Sequence, residues 1–464
     1  MRAVPQELRA PLIVAFAMLI ESMDANIIAT SLPVMARDFH YNPVVLQIGI
    51  ISYVCGLGIF IPICGWVADR FGSRPVFQSA IAVFIVGSLL CGASTSLPTF
   101  TLARFIQGMG GAMMVPVGRI IIFRAVPRSQ FIRAMNYLSI PALLGPATGP
   151  VLGGFITTYL SWRLIFLINV PFGVLGIWLA HRHIQNSREP HPGRLDWIGF
   201  VLSAGGGASF LLGLSLLNGE MIPRSQAALL CLSGLILLAI YAIYAFKAAR
   251  PLLELRFLKI PTFQASVAGG SLFRMGLGAL PFLLPLSLQE GMGMSAFESG
   301  LITCGSALGS FLVKWIAPWL LRRFGFRSVL LHNAVFCAIA ISICGLFIPG
   351  TPIWLIWAIV LFSGFFPSLQ FTSLNSLAYS DIEARDIGRA TSLASVVQQL
   401  SLGLGIAVGG IVLQLAHAAS HHVAYSWTDF WPAFVIVGCF SLGSIPVTRR
   451  MPAHAGADIA RGAG

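Results

Sequence analysis

Gly65-Trp66-Val67-Ala68-Asp69-Arg70-Phe71-Gly72-Ser73-Arg74 returns 253 residues downstream as Pro318-Trp319-Leu320-Leu321-Arg322-Arg323-Phe324-Gly325-Phe326-Arg327. Trp, Arg, Phe, Gly and Arg coincide, five positions in ten. Each copy closes one long apolar run and opens the next. Fourteen such runs, each near the ~20 residues a helix needs to cross a bilayer, fall at about 11–33, 44–67, 76–96, 98–122, 135–159, 163–181, 196–217, 227–246, 263–288, 300–320, 329–348, 353–377, 389–416 and 429–447. The motif ends the second run and again the tenth. A shift of eight, not six, predicts two six-helix bundles, 1–186 and 259–464, with an inserted helix pair at 187–258.

Composition agrees. Of 464 residues, 56% are hydrophobic and 10% charged, with a mean hydropathy of +0.84; soluble domains carry roughly 25% charged residues. The expectation is an all-α polytopic membrane protein. The runs lack the two-residue alternation of barrel strands, and Glu21 and Asp24 interrupt the first run where a signal peptide should be apolar. Eight cysteines lie in or beside apolar runs and behave as small hydrophobes.

The net charge of +13 has a topological cause and implies no nucleic-acid partner. With the N-terminus cytoplasmic, 22 of the 29 Lys and Arg fall in inside segments, and Arg37, Arg163 and Arg224 alone fall outside. Arg104, Arg119, Arg274 and Lys314 fall within spans. This bias places both termini inside.

No cofactor is expected. A P-loop needs a lysine followed by Ser or Thr after its glycines, and Lys247, Lys259 and Lys314 are followed by Ala, Ile and Trp. No segment is large enough for a soluble catalytic domain, so the chain is not expected to be an enzyme. The sharpest chemical signal is Asp24, about twelve residues into the first run and hence near the bilayer midplane. A charge there costs several kcal/mol, and intramembrane acids mark proton relays. Glu21 lies one turn earlier on nearly the same face. Arg104 opens Arg104-Phe105-Ile106-Gln107-Gly108-Met109-Gly110-Gly111 and is placed to pair with Asp24. Gly145, Gly149 and Gly153 recur every four residues and form a side-chain-free stripe in the fifth run, which Gly154 follows, while Pro146 and Pro150 bend it. A kinked, closely packed helix suits a pivot. Arg274, Gln107, Arg119 and Lys314 are candidate cavity residues, although Arg119 and Lys314 also fit snorkelling and Arg274 fits pairing with backbone carbonyls. Gln398 and Gln399 fit hydrogen bonds across helices or to substrate. His417, His421 and His422 read as a solvated helix end in preference to a metal site.

Together these segments resemble the major facilitator superfamily, in particular its fourteen-helix drug:proton antiporters of the EmrB/QacA type. Gly65–Arg74 is similar to the loop motif between helices two and three, Arg104–Gly111 to the helix-four arginine motif, and Gly145–Gly154 to the antiporter signature of helix five. Met23–Pro33 and Trp162–Gly173 resemble the helix-one and helix-six segments of the fourteen-helix group, and Gly110–Arg119 is similar to its MdtD-type branch. The resemblance implies a proton-coupled antiporter of the bacterial inner membrane, monomeric, exporting small amphipathic or anionic compounds by alternating access. It casts Asp24, Glu21 and Arg104 in proton coupling. It assigns Gly65, Asp69, Arg70, Gly72 and Arg74 to cytoplasmic gating, together with the helix-five glycines and prolines. Two departures weigh against broad cationic drug export: 389–416 holds no acid, and Ala25 stands where the group has a small polar residue. Export of one endogenous anionic metabolite or metal chelate is the second reading, and a non-transporting membrane sensor the third.

Overall fold

The computed structural model describes residues 6–126, 131–189, 193–217, 219–383, 386–422 and 424–452; the side chains of 6, 7 and 131–143 are also left undescribed. Of the basic residues used for topology, Arg2, Arg128, Arg385 and Arg461, and the Arg133 side chain, lie outside this set. Twelve helical stretches are long and apolar enough to cross a membrane. One of them, Ala296–Leu346, is two helices meeting at Gly325, and Phe131–Tyr159 adds a further span of 29 residues. The fourteen helices are α1 (Leu8–Thr30), α2 (Gln47–Phe71), α3 (Ser73–Ala93), α4 (Leu97–Ala125), α5 (Phe131–Tyr159), α6 (Leu164–His183), α7 (Trp197–Ser215), α8 (Arg224–Lys247), α9 (Pro261–Gly291), α10 (296–324), α11 (326–346), α12 (Ile353–Ala378), α13 (Ile387–Ser420) and α14 (Trp427–Arg449). Each coincides with one apolar run of the sequence to within a few residues.

The sequence duplication is also a backbone duplication. Gly72 and Gly325, equivalent in the repeat, turn the chain with φ of 98° and 74°, a region open to glycine at no steric cost. α1 packs on α5, α2 and α3 on α4, α9 on α13, and α10 and α11 on α12. Two seams join the bundles. Along one, α2 runs beside α13. Along the other, α5 meets α10 so closely that a Cβ on Gly154 would overlap the Ala296 carbonyl, and one on Gly300 the Pro150 carbonyl.

The inserted pair flanks the first seam. α7 packs against both α2 and α13, whereas only 17% of α8's apolar window is buried. α7 and α8 are held together by small residues: a Cβ on Gly234 would meet Phe210 and Gly206 backbone, and one on Gly213 the Cys231 nitrogen at 2.5 Å. In a bilayer, such close approach replaces the hydrophobic drive that lipid removes. Gly234→Val is therefore expected to destabilise the detergent-solubilised protein by about 1–3 kcal/mol. Gly205→Ala, whose new methyl would meet only Leu237 Cδ1 at 3.8 Å, should leave the melting temperature unchanged.

Candidate functional site

Glu21 and Asp24 stand one turn apart on α1, and the structure gives them different surroundings. Asp24 is sealed: its side chain and that of Arg104 are both 0% exposed. Arg104 Nη1 donates to Asp24 Oδ2 at 2.8 Å, Gln107 Nε2 to Oδ1 at 2.8 Å, and Asn169 Nδ2 to the same oxygen at 2.6 Å. Gln107 and Asn169 also donate to Ser88 Oγ at 2.7 and 3.2 Å. The spacing explains the convergence. Arg104 and Gln107 lie three apart on one face of α4, and Gly87 on α3 leaves room for the Gln107 backbone. Gly108 in turn admits the Tyr53 carbonyl of α2. Arg104 rests with its Cζ 4.4 Å above the Tyr53 ring, and Nη1 donates to Gln107 Oε1 as well.

Tyr53 links this sealed pair to the outer acid by donating its hydroxyl to Glu21 Oε1 at 2.9 Å. Glu21 is half-buried and lines a cavity of about 910 Å³ between α2, α4 and α13. Apolar Leu57, Ile61, Val115 and Ile120 share its wall with Arg119, Thr391, Ser395 and Gln399. The cavity reaches Phe123 and Arg124 at the end of α4 and Ile387 at the start of α13, the face on which the basic loops lie. On the opposite face the bundles are bolted together. Arg37 pairs with Glu290 at 3.1 Å, Gln289 donates to the Thr30 carbonyl at 3.0 Å, and Tyr425 donates to Asn42 at 3.0 Å. Burial and the nearby acids Glu220, Asp429 and Glu290 push the Tyr425 hydroxyl up to about 12, so it remains a donor. Burial also raises Glu220. A second space, of about 260 Å³, lies between Asn26, Pro146 and Pro150 of one bundle and Thr303, Ser306, Ser310 and Ser363 of the other.

The remaining residues singled out in the sequence fall as follows. Gly145, Gly149 and Gly153 pack α5 against Ser22, Asn26 and Ile27 of α1. Asp69 pairs with Arg124 at 2.7 Å, Gly72 and Arg74 dock on Asn186, and Arg70 and Gly65 stay at the surface or half-buried. Of the four cavity candidates, Arg119 lines the large cavity. Gln107 belongs to the sealed cluster. Arg274 is buried elsewhere, donating to the Ser266 carbonyl at 2.8 Å and to Asn375 at 3.1 Å. Lys314 is exposed on α10. In this conformation Gln107, Arg274 and Lys314 do not line this cavity: the first two are engaged in hydrogen bonds, and the third is exposed. Gln399 lines the cavity; Gln398 does not. His417 and His422 face Asp429, with nitrogen–oxygen distances of 2.9 and 3.6 Å, and among the described residues no His/Cys/Asp/Glu group has metal-site geometry. Tyr53, Ser88, Asn169, Arg124 and Asn186 carry roles that composition and spacing leave unsignalled; only Asn169 stood inside a recognisable motif.

A sequence profile described as Major Facilitator Superfamily matches residues 14–406 and 266–459. The chain belongs to the major facilitator superfamily. Its relatives include "Putative multidrug resistance protein MdtD" of Pectobacterium atrosepticum, 37% identical over 90% of this chain and 91% of the relative, and the protein of the same name from Serratia proteamaculans, 38% identical over 92% and 89%. In fold the chain is similar to the POT family transporter PepTSo, with a TM-score of 0.72 at 13% identity, covering 98% of this chain and 99% of that one. It is a multi-pass membrane transporter of this superfamily.

The sealed pair yields a stability test. Asp24→Asn leaves Arg104 as an uncompensated buried charge, and the expected loss is about 3–5 kcal/mol. Arg104→Gln should cost a similar amount. The double variant is expected to be more stable than either single one, and a thermal-shift double-mutant cycle measures the difference; additive losses would show that the two charges do not depend on each other.

Proposed function

We propose that the protein is a proton-coupled efflux transporter that exchanges protons for small amphipathic or anionic compounds by alternating access. The observation that carries this reading is an acid, Glu21, on the wall of a cavity that reaches the basic face while the other face is held shut by contacts between bundles. Glu21 is the group that meets water and substrate. Through Tyr53 it connects to the Asp24–Arg104 pair, so a proton arriving on the acids weakens the hold of α1 on α4 and favours rearrangement. Residues 1–186 and 259–464 are the rocking bundles on this reading, with 187–258 as the insert. The basic face is cytoplasmic by the distribution of arginines, the membrane is the bacterial inner membrane, and a single chain is the working unit.

Substrate polarity follows from the charges in the cavity. Glu21 is engaged by Tyr53 and Arg124 by Asp69, whereas Arg119 makes no ion pair among the described residues and stands beside the hydroxyl and amide groups of α13. This favours an anionic or zwitterionic compound with an apolar body. It also supports the second reading, export of one endogenous anionic metabolite.

Proteoliposomes with an imposed pH gradient test the coupling. Glu21→Gln is expected to abolish gradient-driven accumulation of a fluorescent amphipathic carboxylate while sparing exchange of labelled for unlabelled substrate. Wild-type accumulation by that variant would remove Glu21 from the mechanism. Arg119→Gln should raise KM for an anionic substrate by about tenfold, the equivalent of one charge-assisted hydrogen bond of about 1.5 kcal/mol, and leave a neutral analogue unaffected. Equal effects on both would exclude a headgroup contact at Arg119.

A further inference from the structure

Outside the central cavity, the repeat places one feature twice. An apolar groove of about 340 Å³ lies on α2, α3 and α4, and another of about 410 Å³ on α10, α11 and α12. Seven of the ten residues lining the first return in the second at the same 253-residue offset as the loop motif. Val67, Phe71, Val76, Ala80 and Val83, for example, become Leu320, Phe324, Val329, Asn333 and Phe336. The groove edges match in detail. Trp66 meets Phe71 edge-on at 6.3 Å and 88°, and Trp319 meets Phe324 at 6.3 Å and 86°. Phe71, Phe324 and Phe336 are more than half exposed, so both grooves open on the periphery.

Each groove ends at a loop rich in arginine. Arg70 and Arg74 flank the first, and Arg322, Arg323 and Arg327 the second. The lone acid of the two loops, Asp69, is taken by Arg124. Arg74 Nε is buried without a partner, and Arg70, Arg322 and Arg323 are exposed. An apolar slot at bilayer depth, a tryptophan at its edge and arginines that make no ion pair among the described residues, Arg327 donating to the Arg449 carbonyl at 2.8 Å, form a combination complementary to one class of molecule. We propose that the two grooves are a symmetry-related pair of sites for anionic phospholipid. One acyl chain lies along each slot and the phosphate rests on the loop arginines. The inference depends on the membrane-spanning fold and is independent of the transported substrate or its coupling.

The test uses the full chain in phosphatidylcholine nanodiscs containing, at equal mole fraction, brominated phosphatidylglycerol or brominated phosphatidylcholine. Quenching of the two groove tryptophans is isolated as the difference between wild type and Trp66→Phe or Trp319→Phe. The expected result is an apparent affinity for phosphatidylglycerol about fivefold higher per engaged arginine, at both tryptophans, and lost in high salt. Combined Arg322→Gln, Arg323→Gln and Arg327→Gln should erase the preference at Trp319 and leave it at Trp66. Equal quenching by the two lipids in the wild type, or a preference that high salt does not alter, would overturn the proposal. Neither of those measurements needs the charge variant to fold.

Discussion

A carboxylate at bilayer depth is tolerable only if both its oxygens are answered by donors, because hydrocarbon offers no substitute for water. Asp24 imposes that demand on its whole bundle. Arg104 and Gln107 come from α4, Asn169 from α6 and Ser88 from α3, and the arginine lies against Tyr53 of α2. Five helices are therefore held through one pair of charges on α1 and α4. The pair itself gains little over a hydrophobic substitute, since desolvation offsets the Coulomb attraction. What it fixes is arrangement: separating α1 from α4 strands a charge.

The other bundle repeats the backbone without repeating this chemistry. Arg274 occupies a buried place there, but among the described residues it is answered by a backbone carbonyl and an asparagine and by no acid. The surface that this half turns toward the second cavity sets the neutral hydroxyls of Thr303, Ser306, Ser310 and Ser363 among apolar Leu277, Leu280, Leu284 and Phe371. Among the described residues the acid–base pair at bilayer depth thus lies in one bundle, while in the other His417 pairs with Asp429 at the closed face, and that bundle turns an uncharged wall toward the second cavity. On the proposed reading, proton events belong to the N-terminal half, and the C-terminal half serves as the surface against which substrate is weighed.

The sequence made the spans legible because hydropathy and length are properties of contiguous residues. The repeated string that holds Gly72 and Gly325 was legible for the same reason, while the positive φ at each glycine emerged only in the structure. Asp24 and Arg104 could be matched because charges in apolar runs are rare enough to find each other. Asn169 and Ser88 could not be matched, since nothing local says which of many small polar residues faces the acid, and their separations of 145 and 64 residues are set by packing alone. Arg274 shows the same limit from the other direction. A mid-span arginine reads equally as a substrate group or a satisfied core residue, and only the position of Ser266 and Asn375 decides between them.

The two faces differ in where polar contacts cross the seams, and this asymmetry defines the conformation. On the closed face, Arg37–Glu290, Gln289–Thr30 and Tyr425–Asn42 run from one bundle to the other. On the basic face, Asp69–Arg124 joins neighbours within the N-terminal bundle, and Arg389 is paired with Glu254 and Asp386 beside its own helix. Toward the closed face, where α5 ends and α10 begins, the two helices touch through Gly154 and Gly300 with little side chain interposed at those points. At the glycines themselves no side chains need disengage when the crossing angle changes, while Phe297 packs edge-on to Phe155 and Tyr159 beside them. Closing the cavity then requires no new fold element. Pro146 and Pro150 lie in α5 beside that contact, and on the proposed reading the polar pairs are exchanged from one face to the other.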